Sequence, residues 1–314
     1  MPGRPPPPGR HVDVGTHRLH LHCIGEGSPT VIFDAALGAS SLSWSLVHPE
    51  IARVTRACVY DRAGFGWSDG GPMPRVAGRI ANELHQLLQK AEVPGPYILV
   101  GHSFGGLVMR LFASRHAENV AGIVLIEPAI PEEWVSPNRE QQTLIHRGVR
   151  LCGYGSAAAR NGIASFVSFL VKLRALAVAR ALVALVSRGG LRRDDEGILA
   201  PIWKLPPEAR RLLGGMWTRP EFFEALGSQI EYVCESATEA LRETRDFGSL
   251  PLVVISSSRA HERRLAADLA LSQQSRQGRH IIAPDSGHWV PLDAPKTVVE
   301  AVGGIVQEIR NSRI

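Results

Sequence analysis

The chain has 314 residues, 44% of them hydrophobic and 21% charged. That balance fits a soluble globular protein with a sizeable core and excludes a disordered or fibrous chain. The net charge of +5 comes from scattered residues; pairs such as Arg192-Arg193, Arg210-Arg211 and Arg263-Arg264 stand isolated, so no basic stripe marks a nucleic-acid partner.

From the N-terminus, residues 1–10 carry the run Pro5 to Pro8 and read as an extended, disordered tail. They contain no apolar stretch of the kind a signal peptide needs. Arg18 to Ile24 reads as an antiparallel lead-in strand, with Leu19 and Leu21 on one face and His20 and His22 on a solvated face. The two histidines lack a third ligand nearby, so no metal is expected. Thr30 to Asp34, Ala57 to Tyr60, Tyr97 to Val100 and Gly122 to Ile126 are short apolar runs without alternation. Such runs predict strands buried on both faces of a parallel sheet.

Helical spacing separates them. Val76 to Glu92 sets Ile80, Leu84, Leu87 and Leu88 three and four apart, and Phe104 to His116 forms a second helix. Strands alternating with helices predict an α/β fold with a mostly parallel sheet flanked by helices. The rhythm breaks after Pro128, returns at Leu250 to Ser257 and His280 to Ala283, and ends in a helix over Pro295 to Ile309. We therefore expect a core of residues 11–130 and 245–314, interrupted by a helical cap over 131–244.

Within the cap, Ile163 to Val186 is apolar but holds Lys172, Arg174 and Arg180. A charge at the centre of a membrane span costs about 2.5–3.5 kcal/mol, so the segment reads as helix packed on the protein. A cationic amphipathic helix touching a membrane surface is the less favoured alternative. Cys23, Cys58, Cys152 and Cys234 form no C-x-x-C pair and read as free buried thiols in a reducing, cytoplasmic compartment.

Gly101-His102-Ser103-Phe104-Gly105 fits G-x-S-x-G between a predicted strand and a predicted helix. A sharp turn there holds Ser103 in strained geometry with its hydroxyl projecting outward, and side chains at 101 and 105 would collide. The N–H of Phe104, at the helix start, can stabilise an oxyanion. Tyr60-Asp61-Arg62-Ala63-Gly64-Phe65-Gly66-Trp67-Ser68-Asp69, followed by Gly95-Pro96-Tyr97-Ile98-Leu99-Val100 and the serine motif, resembles the α/β-hydrolase superfamily. The esterase, haloperoxidase-like and proline iminopeptidase-like branches are the nearest in look. The resemblance covers Leu19 to Pro128 and Pro251 to Ile309 and omits the cap.

It implies a nucleophile, Ser103, and a late Gly-His base, here His288 in Ser286-Gly287-His288-Trp289. An imidazole suits proton relay near neutrality. The family's usual acid follows the penultimate strand, where this chain reads Ser256-Ser257-Ser258-Arg259-Ala260-His261-Glu262, without aspartate. Glu127, ending the run Gly122 to Ile126, matches the family's second acid position and is preferred. Glu262 is the alternative acid, then Asp285. The resemblance also places a second oxyanion donor at the N–H of Leu37 in Ala35-Ala36-Leu37-Gly38, although Ala36 replaces the usual glycine. Asp61 and Arg62 read as residues that fix a loop, and His102 as a pocket residue.

The expected function is hydrolysis of small, apolar carboxylic esters or lactones through an acyl-enzyme, with no metal and no cofactor. A proline iminopeptidase-like amide hydrolase, using Glu132 or Glu133 to hold an amine, and a cofactor-free haloperoxidase or perhydrolase are the alternatives. A haloalkane dehalogenase is disfavoured because it needs aspartate at position 103. A ligand-binding protein on a retired hydrolase scaffold is disfavoured by the expected triad of Ser103, His288 and Glu127. The cap residues Phe166, Phe169, Leu170, Trp203, Trp217, Phe222 and Phe223 suit an apolar substrate.

Overall fold

The computed structural model describes residues 6–163, 201–216, 218–244 and 246–312. Eight strands form one sheet: β1 (Arg10–Asp13), β2 (Arg18–Ile24), β3 (Thr30–Asp34), β4 (Ala57–Tyr60), β5 (Tyr97–His102), β6 (Val120–Ile126), β7 (Leu252–Ser257) and β8 (Gly278–Ala283). Their order is β1-β2-β4-β3-β5-β6-β7-β8, antiparallel at the β1-β2-β4 end and parallel beyond. The predicted α/β architecture is the one observed. The central strands are apolar throughout because both faces are covered: every residue of β3, β4 and β5 is buried.

Alternate side chains feed two cores. Ile32, Leu99, Ile123 and Val254 face a layer made by α2 (Ala77–Lys90) and α3 (Phe104–Arg115). Val31, Val100, Val124 and Ile255 face α1 (His48–Ala52) and the C-terminal helix Pro295–Asn311. The described part of 131–244 is helical: α4 (Pro131–Trp134), α5 (Arg139–Arg160), α6 (Pro201–Lys204), α7 (Pro207–Met216), α8 (Pro220–Glu231) and α9 (Val233–Glu243). α8 packs along α5, whereas α9 lies on α2, α3 and α4, so that it also covers the sheet domain. After β7 come α10 (Glu262–Ser272), α11 (Val290–Asp293) and α12 (Pro295–Asn311). The predicted segment 163–186 lies outside the described residues apart from Ile163, as do Trp217 and residues 1–5. No helix among the described residues is long and apolar enough to cross a membrane.

Three expectations are corrected. Cys23 stands directly opposite Cys58 in the antiparallel β2–β4 pair, and the two form a disulfide. Only Cys152 and Cys234 are free thiols, which removes the ground for assigning a reducing compartment. Arg10 does not belong to a loose tail: it opens β1, paired with Leu21. That extra strand changes the surroundings of β2, and His20 is fully buried rather than solvated. It lies 2.8 Å from the Asp61 carboxylate and donates to the Pro8 carbonyl.

Candidate active site

Six parallel strands end at one edge of the sheet, and the loops that follow them meet there. β5 ends at His102 and α3 begins at Phe104. Ser103 between them has φ 54° and ψ −117°, outside the usual regions for a residue with a side chain. The main chain holds it there: its N–H donates to the Ile126 carbonyl, and its own carbonyl accepts from Gly106 and Ala129. A Cβ at Gly101 would come within 2.6 Å of the Gly105 carbonyl, and one at Gly105 within 2.6 Å of the Asp34 carbonyl. Both glycines are therefore dictated by backbone contact.

Glu127 follows β6, and it too has positive φ, 44°. Its side chain is buried; Oε1 accepts from the Ser257 N–H at 2.6 Å and Oε2 lies 3.3 Å from His288 Nδ1. Burial raises its pKa, but the His288 and Ser257 hydrogen bonds and the nearby Arg264 charge outweigh that, so the carboxyl is held below its ordinary value. Glu127 therefore stays ionised against the imidazole.

His288 comes from the loop between β8 and α11 and is partly exposed. That loop is tied down at several points. The side-chain hydroxyls of Ser257 and Ser258 donate to the Ser286 carbonyl, and Gly287 N–H donates to Asp293. Lys204 on α6 reaches the same Asp293 at 2.7 Å. His102 Nε2 lies 2.8 Å from the His288 carbonyl, so this nitrogen carries the proton and donates. Burial, reinforced by the neighbouring His288 ring, keeps the His102 pKa well below its ordinary value, so the ring is neutral. The two rings sit 5.0 Å apart between centroids. His102, expected as a pocket residue, is instead fully buried beneath the His288 loop, and Ser257 and Ser258 at the end of β7 are supporting residues that sequence reasoning missed. The signal was present in the serine run, which fills the place of the usual acid.

The other carboxylates lie elsewhere. Glu262 is exposed at the first turn of α10, and Asp285 is exposed in the turn after β8. Glu132 and Glu133 share a cavity of about 210 Å³ with Arg110 and Arg263.

After β3 the chain turns at Ala36–Ala39, closed by Ala39 N–H to the Ala36 carbonyl at 3.1 Å. The N–H groups of Leu37 and Phe104 make no loop or turn main-chain hydrogen bond among the described residues. Asp61 fixes the neighbouring turn by accepting from Ser41 and Trp67 N–H groups. A third apolar cluster, including Ala36, Trp67, Leu213, Met216 and Trp289, joins this edge to α7. Among the described residues no group of three His, Cys, Asp or Glu side chains could hold a metal ion.

Comparison with known proteins agrees with this architecture. The profile of the alpha/beta hydrolase family matches residues 19–301, and the chain belongs to that family. An esterase from Thermogutta terrifontis superposes with a TM-score of 0.67 at 19% identity, covering 96% of this chain and 99% of the esterase. The epoxide hydrolase CorEH superposes with a TM-score of 0.69 at 16% identity, covering 96% and 98%. At such identities the likeness is one of fold. The uncharacterized protein YqjL of Bacillus subtilis is 35% identical over 109 residues, covering 35% of this chain and 43% of YqjL. The chain spans between 15% and 43% of the length of the first curated relatives it matches.

Proposed function

We propose that the protein is a serine hydrolase that cleaves small carboxylic esters or lactones through an acyl-enzyme. The observation that carries this reading is the buried Glu127 carboxylate 3.3 Å from His288 Nδ1, together with the strained backbone of Ser103 at the end of the adjacent strand β5. Ser103 Oγ attacks the carbonyl carbon and its proton passes to His288. Glu127 orients the imidazole and stabilises the imidazolium. The N–H groups of Leu37 and Phe104 receive the developing oxyanion. Collapse expels the alcohol, which takes the proton from His288. A water, deprotonated by His288, then releases the acid and restores Ser103.

Residues 131–244 act as a cap in this reading. Leu213 and Met216 pack with Ala36, Trp67 and Trp289, and Phe222 with Phe65, so apolar side chains join cap and sheet domain, which favours an apolar acyl or alcohol group. The amide-hydrolase alternative finds no support at Glu132 and Glu133, whose cavity is lined by Arg110 and Arg263 and not by Ser103.

The test is labelling with a fluorophosphonate, followed by turnover of p-nitrophenyl esters and proline anilides. We expect one adduct on Ser103, ester turnover exceeding anilide turnover, and loss of both signals in Ser103→Ala. Ester turnover retained by Ser103→Ala would overturn the reading.

A further inference from the structure

We propose that Arg62 is a positioning residue of the oxyanion hole, holding the loop that carries the Leu37 N–H in register with the Phe104 N–H. This rests on the serine-hydrolase reading above and concerns the same site. Arg62 follows β4 by two residues, and its side chain is buried. Its guanidinium grips three consecutive residues that lead into Leu37. Nε donates to Asp34 Oδ1 at 2.8 Å, Nη2 to the Ala35 carbonyl, and Nη1 to the Ala36 carbonyl at 3.4 Å. The same group sits 5.1 Å from the centre of the Phe104 ring. One planar cation therefore touches the approach to one donor and the residue that supplies the other.

The two donors have no covalent reason to stay in register. Leu37 lies after β3 and Phe104 opens α3, yet both N–H groups must point at one oxygen from about 2.7–3.1 Å. Gly105 already places its backbone against the carbonyls of Asp34 and Ala35, which fixes the separation of loop and elbow. Arg62 fixes the loop's orientation by holding the Asp34 carboxylate and the Ala35 and Ala36 carbonyls. A misplacement of about 1 Å at such a site typically costs a hundredfold in rate.

A simpler role would be neutralisation of the buried Asp34 carboxylate. The two roles differ in what a lysine can do. Arg62→Lys keeps a cation beside Asp34, but an ammonium on a flexible stem cannot reproduce the planar fork that reaches both carbonyls. The experiment compares wild type, Arg62→Lys and Arg62→Met in p-nitrophenyl ester hydrolysis. It also measures inhibition by an alkyl boronic acid, which forms a tetrahedral adduct on a serine hydroxyl, and thermal unfolding.

We expect Arg62→Lys to unfold near the wild-type temperature, to lose about 10- to 100-fold in kcat with KM within about twofold, and to bind the boronic acid more weakly by a similar factor. Arg62→Met, where it folds, should lose at least as much; where it does not, the lysine variant decides. Full kcat and boronate affinity in Arg62→Lys would overturn the proposal. An active Ser103→Ala variant would instead overturn the site reading itself, so the two failures are distinguishable.

Discussion

His288 and His20 each face a buried carboxylate, Glu127 at 3.3 Å for one and Asp61 at 2.8 Å for the other; Ser68 bonds the His20 main chain, and Ser103 follows His102, whose ring reaches the His288 carbonyl. Both carboxylates follow a parallel strand, and both are held below their ordinary pKa values because hydrogen bonds outweigh the burial that would raise them. The pairs differ in what is left over. Ser68 Oγ donates to the Asp61 carbonyl and accepts from the His20 N–H. Both ring nitrogens of His20 face oxygens, and its side chain has no exposure. That trio is a strut between β2 and the turn after β4. Ser103 sits on a strained elbow, His288 has a side chain 32% exposed, and among the described residues the Leu37 and Phe104 N–H groups make no loop or turn main-chain hydrogen bond. A serine, a histidine and a carboxylate make a reactive site only where strain, exposure and unused donors coincide.

Variants should separate the two trios. Ser103→Ala should lower kcat by about 10⁴-fold or more while leaving the melting temperature nearly unchanged, measured by ester hydrolysis and calorimetry. Glu127→Gln should lower kcat by up to about 10⁴-fold, because an amide no longer holds the imidazole in the useful tautomer. Asp61→Asn should act on stability instead. Removing one partner of a buried pair typically costs about 3–5 kcal/mol, seen as an earlier denaturation midpoint. Ser68→Ala should cost about 1–3 kcal/mol of stability and leave kcat and KM of the remaining folded protein unchanged. A large kcat loss in Ser68→Ala would erase the distinction between strut and site.

Acid should affect both pairs in one direction. A carboxyl whose folded pKa lies below its unfolded value contributes stability above the unfolded value, and the contribution disappears as pH falls through the folded one. Thermal stability should therefore decline below the ordinary carboxylate range, and less steeply in Glu127→Gln than in wild type.

The parallel core was legible because fully covered strands appear as unbroken apolar runs; β3, β4 and β5 are buried at every position. β1 was not, since Arg10–Asp13 buries only Val12. Missing that strand led to the misreading of His20, whose outer face is closed by Pro8. The Cys23–Cys58 bond depends on β2–β4 register, which spacing along the chain does not reveal. Thiol titration of the unfolded protein should count two reactive cysteines before reduction and four after. Ser103 and His288 stood out through motif and family resemblance. The meeting of Glu127 with His288 is tertiary, created where β6, β7 and the loop after β8 converge. The same holds for the carbonyls gathered by Arg62.

The most direct measurement is the intact mass of wild type and Ser103→Ala after exposure to a fluorophosphonate, with the modified peptide identified. The account predicts a single adduct on Ser103, formed much more slowly when Glu127 or His288 is replaced, and no adduct in Ser103→Ala. Labelling at another residue, or an unmodified Ser103 in a protein that still hydrolyses esters, would contradict it.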